Sequence, residues 1–350
     1  MEPAAVGAEI GTQQRMSLHW QSEWLPYNFF MGDVFFLVGP TAVGKTTQAV
    51  ELAQQFNAEI VNADAFQIYR GLDILTAKPD LKTRRRVRHH LLDQVSLGET
   101  MSALRFRELA WAALADIHSR KKNAILVGGS GLYLKAIMYG LDEVPAPDPK
   151  LRQELSGLSL HELSMRLKTL DPQFAARTDL KNPRRVIRAI EIASNSTVIA
   201  SVGRGMPGRY GKPSAAGSLP PSRTGVFARD DALNYAGVVL IRDREDLYRR
   251  INERVRAMFR NGVEDEVRAA SDVGPTAASA LGLKEIRALL GGQTSPESCI
   301  AKIQQATRRY AKRQLTWFRH QTTFPQLNLT PFSHRDAVRA IVPMLRRAHE

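Results

Sequence analysis

The sequence predicts an α/β fold: a parallel sheet flanked by helices, interrupted by an all-helical insertion. Three observations predict it. Through the first 145 residues, short continuous apolar runs alternate with longer stretches of helical periodicity. The strand signal then vanishes over residues 150–196, and it returns at Gly237. Continuous apolarity marks strands buried on both faces, as in parallel sheets, and strand–helix alternation implies crossover connections between them.

The first strand is Val34-Phe-Phe-Leu-Val38, bounded by Gly32 and Gly39. After Gly44 a helix follows, with Ala49, Leu52, Ala53 and Phe56 on one stripe. Glu59-Ile-Val-Asn-Ala63 reads as a second strand. Residues 103–120 repeat the helical pattern through Phe106, Leu109, Ala113 and Ile117. Asn123-Ala-Ile-Leu-Val127 is a third strand, ended by Gly128 and Gly129. Pro145, Pro147 and Pro149 mark a boundary, beyond which helices are expected at Leu160 to Leu170 and Arg184 to Ala193. Residues 201–230 hold six Gly, four Pro and four Ser, a composition that cannot bury a core. Gly237-Val-Val-Leu-Ile241 resumes the sheet. A long helix with Leu247, Ile251, Val255 and Met258 on one face follows, then basic helices near 297–320 and 335–348. The expected organisation is a disordered extension at 1–31, an α/β core at 32–144 and 232–330, a helical insertion at 145–200, a flexible linker at 201–231 and a C-terminal helix at 331–350.

Composition limits the class of function. Hydrophobic residues make up 43% and charged residues 24%, as in globular proteins. The formal net charge of +14 favours polyanionic partners, nucleic acid before an anionic membrane surface. A single cysteine, Cys299, excludes an intrachain disulfide and a Cys-based metal cage. No apolar run approaches the ~18 residues that a membrane span needs. Residues 1–30 lack a continuous apolar segment and carry Glu2, Glu9 and Glu23 against Arg15, which is unlike a secretory or transit signal. Cytoplasm, with no membrane association, is the expected location.

The chemistry begins at Gly39, Pro40, Thr41, Ala42, Val43, Gly44, Lys45 and Thr46, a full phosphate-loop pattern between a buried strand and an amphipathic helix. Its glycines let backbone amides converge on phosphate oxygens, and the helix N-terminus adds partial positive charge. Lys45 adds a full charge, and the Thr46 hydroxyl can ligate Mg²⁺. The expected core is therefore a P-loop NTPase-like sheet. The motif names phosphate and not the reaction; nucleotide kinases, GTPases and small ATPases share it. No strand ends in the apolar-run-plus-Asp pattern of a typical Walker B, and the third ends in Gly-Gly-Ser instead.

Asn62-Ala-Asp64-Ala-Phe-Gln67-Ile-Tyr69-Arg-Gly71 follows the second strand directly, so Asp64 should face the ligand crevice beside the phosphate loop, or else serve as a turn residue. Further on stand Thr76-Ala-Lys78-Pro79, His89-His90-Leu-Leu-Asp93, Val127-Gly-Gly-Ser130-Gly-Leu-Tyr133, Asn182-Pro-Arg-Arg-Val-Ile-Arg188-Ala-Ile-Glu191 and Lys312-Arg-Gln-Leu-Thr-Trp317-Phe-Arg319. In this order, from about residue 33 to 320, these segments resemble the tRNA dimethylallyltransferases (tRNA isopentenyltransferases). The resemblance implies dimethylallyl diphosphate as donor, bound at the phosphate loop with Mg²⁺, and N6 of adenosine 37 beside the tRNA anticodon as acceptor. It implies that Asp64 is the general base, that Ser130 lies near the reacting centre and that Arg254 contacts the diphosphate. It also implies tRNA contacts from Asp64, Ala65, Phe66, Gln67, Ser130, Arg152, Arg184, Arg185, Arg188, Lys284, Lys312, Arg313 and Arg319. The partners are then the anticodon stem-loop of tRNA and the diphosphate donor, and the protein acts as a monomer.

Solvated helix faces are the plainer reading of each basic run, including Lys82 to Arg88. Trp317 and Phe318 read as core residues rather than base-stacking platforms, and His89 and His90 read as structural rather than metal-binding. The sequence departs from the family pattern at Ala65 (commonly Ser), Leu75 (Gly), Arg88 (Pro) and Leu283 (Tyr). The alternatives are an adenylate isopentenyltransferase acting on free AMP, ADP or ATP, a small-molecule P-loop kinase, and an RNA-binding module with a vestigial phosphate loop. The helical insertion, the net charge and the basic C-terminal helix favour tRNA over a free nucleotide.

Overall fold

A computed structural model of the chain describes residues 34–141, 145, 147–202 and 235–346. The expected N-terminal extension and residues 203–231 of the expected linker lie outside them. The described residues divide into two compact units. One runs to Tyr139 and resumes after residue 231, and the other starts at Gly140.

The larger unit begins with β1 (Val34–Val38), α1 (Lys45–Gln55), β2 (Ala58–Ala63), α2 (Leu81–Arg86), β3 (His89–His90), α3 (Ala103–Ser119), β4 (Asn123–Gly128) and α4 (Gly131–Tyr139). The smaller unit is helical: α5 (Pro149–Ser156), α6 (Leu160–Leu170), α7 (Pro172–Arg177) and α8 (Pro183–Val202). The larger unit resumes with β5 (Ala236–Ile241), α9 (Arg244–Arg260), α10 (Val263–Ala269), α11 (Leu283–Leu290), α12 (Pro296–Gln321), β6 (Gln326–Asn328) and α13 (His334–Arg346).

The sheet has six strands in the order β3-β2-β4-β1-β5-β6, every pairing parallel. Strands β1, β2, β4 and β5 are buried on both faces, which is why their apolar runs are continuous. Phe36, Val61 and Leu126 pack on one face with Phe106, Ala110, Leu114 and Ile117 of α3. Phe35, Leu37, Ile60 and Ile125 pack on the other with α1, with Leu247 and Ile251 of α9, and with Ile341 of α13. A third cluster joins Leu72 and Leu75 to Val255, Val263, Leu283, Ile286, Cys299 and Ile303. Two of the departures from the family pattern, Leu75 and Leu283, thus share one cluster.

The smaller unit has its own core of Leu155, Leu163, Leu167, Ala175, Val186, Ala189 and Ile190. Its helices start at side-chain caps: Asp148 for α5, a Ser159–Glu162 capping box for α6 and Asp171 for α7.

Three expectations shift. The buried stripe of α3 is Phe106, Ala110, Leu114 and Ile117, with Leu109 and Ala113 half-buried beside it; a helix packed between a sheet and its neighbours buries a wider face than one row. Helix α8 runs on to Val202, past the expected end at Ala193. Strands β3 and β6 were not expected, because His-His and Gln-Leu-Asn carry no apolar run; both are short edge strands at opposite ends of the sheet.

Candidate active site

The sheet register gathers the site. Val38 of β1 pairs with Gly128 of β4, and Gly128 pairs with Ala63 of β2. The three strands therefore end in one row, and the phosphate loop, Asp64 and Ser130 leave the sheet side by side. This is the carboxyl-end crevice where open α/β sheets bind ligands. Close approach dictates Gly129 there: a Cβ on it would stand 2.2 Å from Gln314 Nε2 and 2.8 Å from Gly39 O.

The phosphate loop is wound so that its amides face inward. Ala42 and Gly44 both adopt positive φ, 64° and 108°, the alternation that turns successive N–H groups into a concave nest. Arginines from the far side of the chain hold the outward carbonyls. Arg250 Nε donates to Ala42 O at 2.9 Å, and Arg242 Nε donates to Val43 O at 2.8 Å. Gln314 of α12 ties the loop to β4, accepting from Thr41 N at 2.9 Å and donating to Gly129 O at 2.8 Å. No side chain caps the start of α1, so its first amides are left for a ligand. Lys45 Nζ rests on Gly39 O and Pro40 O at 2.9 and 2.8 Å. Burial pushes its ammonium down to about 8, with Asp64 opposing and Arg254 reinforcing the shift.

Asp64 is at once the turn residue and a cleft residue. Its Oδ1 accepts from the amides of Phe66 and Gln67 at 2.9 and 3.3 Å, and the residue lines a cleft of about 410 Å³ with Thr41, Gly44, Lys45, Thr46, Gln67 and Arg254. Arg254 extends from α9 to Thr41 Oγ1 at 3.2 Å and Thr76 O at 3.1 Å. It is held between the phosphate loop and the segment after β2. Burial lowers its guanidinium below the usual range, and Asp64 counteracts this. Asp64 and Arg254 also line a second, smaller apolar pocket with Leu75, Ile251, Ala280 and Ile303.

Ser130 is buried, and its Oγ accepts the amide of Ala65 at 3.0 Å. It fixes the backbone next to Asp64. Tyr310 of α12, near Asp64 and hydrogen-bonded to Ser130, lies in the same pocket; burial raises its phenol far above the ordinary value. Gln67 uses its amide to hold Thr76 O and Ala77 O at 3.1 and 3.3 Å. Gln314, Arg242, Arg250 and Tyr310 were missed by the sequence reading. Arg242, Arg250 and Gln314 lie about 200 residues or more along the chain from the phosphate loop they hold, Tyr310 is as distant from Asp64, and no local pattern distinguishes them from other polar residues of their segments.

Several segments that stood out in the sequence form the frame of the site. Lys78, almost fully buried, pairs with Asp73 at 2.6 Å and Asp93 at 2.5 Å. Glu266 of α10 accepts from the amides of Ile74 and Leu75, both at 2.7 Å. His90 Nε2 lies 2.7 Å from buried Glu59, which also binds Arg120 and Lys122, and His89 Nδ1 lies 2.8 Å from Val87 O. Among the described residues no group of three or more His, Cys, Asp or Glu could hold a metal. Within the basic run 82–88, Arg84 pairs with Asp93 and Arg86 with Glu51.

The residues expected at a tRNA surface fall into two groups. Arg184, Arg185, Lys284, Lys312, Arg313 and Arg319 are exposed. Arg313 stands over the Tyr310 ring at 5.6 Å, close to the cleft. Arg152, itself exposed, and the half-buried Arg188 are tied to Glu191, whose side chain is fully buried in the smaller unit, at 2.7 and 3.1 Å. Phe318 is buried and Trp317 half-buried, both packed on the core beside α4.

Comparison with known proteins gives a consistent set. Residues 67–321 match the family model described as IPP transferase. The chain is 40% identical over 289 residues to tRNA dimethylallyltransferase 1 of Citrifermentans bemidjiense, covering 81% of this chain and 88% of that protein. It is 41% identical over 293 residues to the tRNA dimethylallyltransferase of Anaeromyxobacter dehalogenans, covering 81% and 91%. Among solved structures it resembles the full-length tRNA isopentenylpyrophosphate transferase of Bacillus halodurans, with 32% identity, a TM-score of 0.60 and 90% and 97% coverage. It also resembles a eukaryotic dimethylallyltransferase acting on tRNA, with 25% identity, a TM-score of 0.66 and 88% and 77% coverage.

Proposed function

The chain belongs to the IPP transferase family, and from that premise we propose that it transfers a dimethylallyl group from dimethylallyl diphosphate to N6 of adenosine 37 beside the tRNA anticodon, releasing diphosphate. The observation that carries this reading is the position of Asp64 and Arg254, which line both the phosphate-loop cleft and the apolar pocket next to it. A donor with its diphosphate on the loop and its tail in the pocket has its reacting carbon between the two, beside the Asp64 carboxylate.

In the proposed step the C1–O bond breaks and its electron pair leaves with the diphosphate. The loop amides, Lys45 and Arg254 stabilise that charge. The N6 nitrogen bonds to C1, and its proton passes to Asp64, the general base. Ser130 acts through Ala65 as a positioning residue. The exposed Thr46 hydroxyl in the cleft is an oxygen donor that would hold Mg²⁺ together with the phosphate oxygens of the donor. When bound, Mg²⁺ neutralises charge on the leaving diphosphate. The exposed arginines and lysines named above are assigned to the phosphate backbone of the anticodon stem-loop, which presents unpaired bases and so makes extrusion of the adenine easier. Among the described residues no helix is long and apolar enough to cross a membrane; we assign the protein to the cytoplasm, as a monomer.

Labelled dimethylallyl diphosphate offered with tRNA, AMP or ATP tests the reading. Label is expected in tRNA alone. Label in AMP and not in tRNA would refute it, and ATP hydrolysis without prenyl transfer would reassign the protein to the kinase class.

A further inference from the structure

The apolar pocket beside the cleft has a floor, and we propose that Leu75 closes it so that the site accepts a five-carbon prenyl chain and rejects longer ones. This rests on the donor-binding reading above. The pocket holds about 60 Å³. One water-sized sphere needs about 10–15 Å³ and a methyl or methylene group more, so the space takes a short tail and has no room for a long chain. A dimethylallyl tail has five carbons; the next longer prenyl chain has ten. Its lining includes the polar Thr41, Asp64 and Arg254, shared with or bordering the cleft, and the apolar Leu75, Ala280 and Ile303.

The floor has no slack behind it. Leu75 is 4% exposed. Its Cδ1 and that of Ile303 stand 3.1 and 3.4 Å from the position a Cβ on Gly282 would take, so the two methyls converge on backbone. The wall cannot swing outward either. The amides of Ile74 and Leu75 are both held by Glu266, and the next carbonyl, Thr76 O, is held by Arg254 and Gln67. A side chain pinned through its backbone and backed by backbone sets a hard limit, because forcing extra methylenes into a filled space is opposed by strain.

Binding of dimethylallyl diphosphate, geranyl diphosphate and inorganic diphosphate is measured by calorimetry for the unaltered protein, Leu75→Ala and Ala280→Val, with tRNA transfer assayed in parallel. The unaltered protein is expected to prefer dimethylallyl over geranyl diphosphate by roughly 10²-fold or more, and Leu75→Ala to shrink that preference at least tenfold. Ala280→Val, which adds volume to the same apolar lining, is expected to weaken dimethylallyl diphosphate while leaving inorganic diphosphate unchanged. Equal affinity for both chain lengths, or an unchanged ratio in Leu75→Ala, overturns the assignment, as does an unaltered donor affinity in Ala280→Val. Chain-length discrimination without transfer to tRNA would refute the proposed function and leave the gate standing; no binding of either donor would refute both.

Discussion

Gln314→Leu separates the frame of the phosphate loop from its chemistry. Gln314 is 6% exposed and bridges Thr41 N to Gly129 O. Leucine keeps a similar volume and removes both bonds. Gly129 O is buried and loses its side-chain donor, a cost of about 1–3 kcal/mol. Thr41 N opens on the cleft and can take up water, so its loss is nearer the net value of a hydrogen bond, about 0.5–1.5 kcal/mol. The sum, about 1.5–4.5 kcal/mol, corresponds to a fall in Tm of roughly 2–6 °C for a chain of 350 residues. Because the loop also loses its tie to β4, it must be ordered by the ligand itself, and affinity for inorganic diphosphate should drop by a similar factor in the same variant. Thermal unfolding and diphosphate titration measure the two effects. An unchanged Tm together with unchanged diphosphate affinity would show that the loop is held by its own backbone and by Arg242 and Arg250 alone.

Asp64→Asn should lower turnover by roughly 10²-fold or more, as for a lost general base, with tRNA affinity retained; equal turnover would remove Asp64 from that role. Lys45 titrates near 8 in the free protein, and an anion binds its charged form. The Lys45 contribution to diphosphate affinity, read as the ratio of the parent to Lys45→Ala at each pH, should therefore be full below pH 8 and fall up to about tenfold per pH unit above it, and a ratio that stays constant to pH 9.5 would contradict this. The Glu59 carboxyl is held well below its usual 4.5, chiefly by its hydrogen bond to Arg120 and further by His90 and Lys122. A depressed carboxyl stabilises the fold at neutral pH and loses that contribution as pH falls below about 4.5, so Glu59→Gln should be less stable than the parent at pH 7 and converge on it in acid; parallel curves in acid denaturation would disprove the link. In the smaller unit, Arg184→Ala should weaken tRNA binding and reduce its salt slope by about one without lowering Tm. Arg188→Ala should lower Tm by leaving Glu191 buried with one partner fewer. Identical behaviour of the two variants, read by filter binding and thermal unfolding, would erase the distinction.

Local pattern was enough for the strands β1, β2, β4 and β5 and the helices that follow them, because burial on both faces of a parallel sheet writes itself into consecutive apolar residues. The phosphate loop was equally plain, since nest geometry needs glycine and lysine at fixed spacing. The ordered set of short segments from Asp64 to Arg319 carried the family. Edge strands with no apolar run were invisible, and so was the rotation of the α3 stripe, which depends on what packs beside it.

Which charged residues are free was decided by tertiary structure. In sequence, Arg152, Arg184 and Arg188 are equally basic; the fold gives the first and third a buried carboxylate and leaves Arg184 to solvent. In sequence, Gln314 and Tyr310 are two residues of a basic helix; folding brings one onto the phosphate loop and the other beside Asp64. The sequence by itself determined the fold class, the glycine-rich loop after β1 and the family, because those follow from local spacing. The shape of the pocket beside Asp64, and the wall that Leu75 forms there, depend on contacts between residues some 175 to 230 positions apart, which no local spacing encodes.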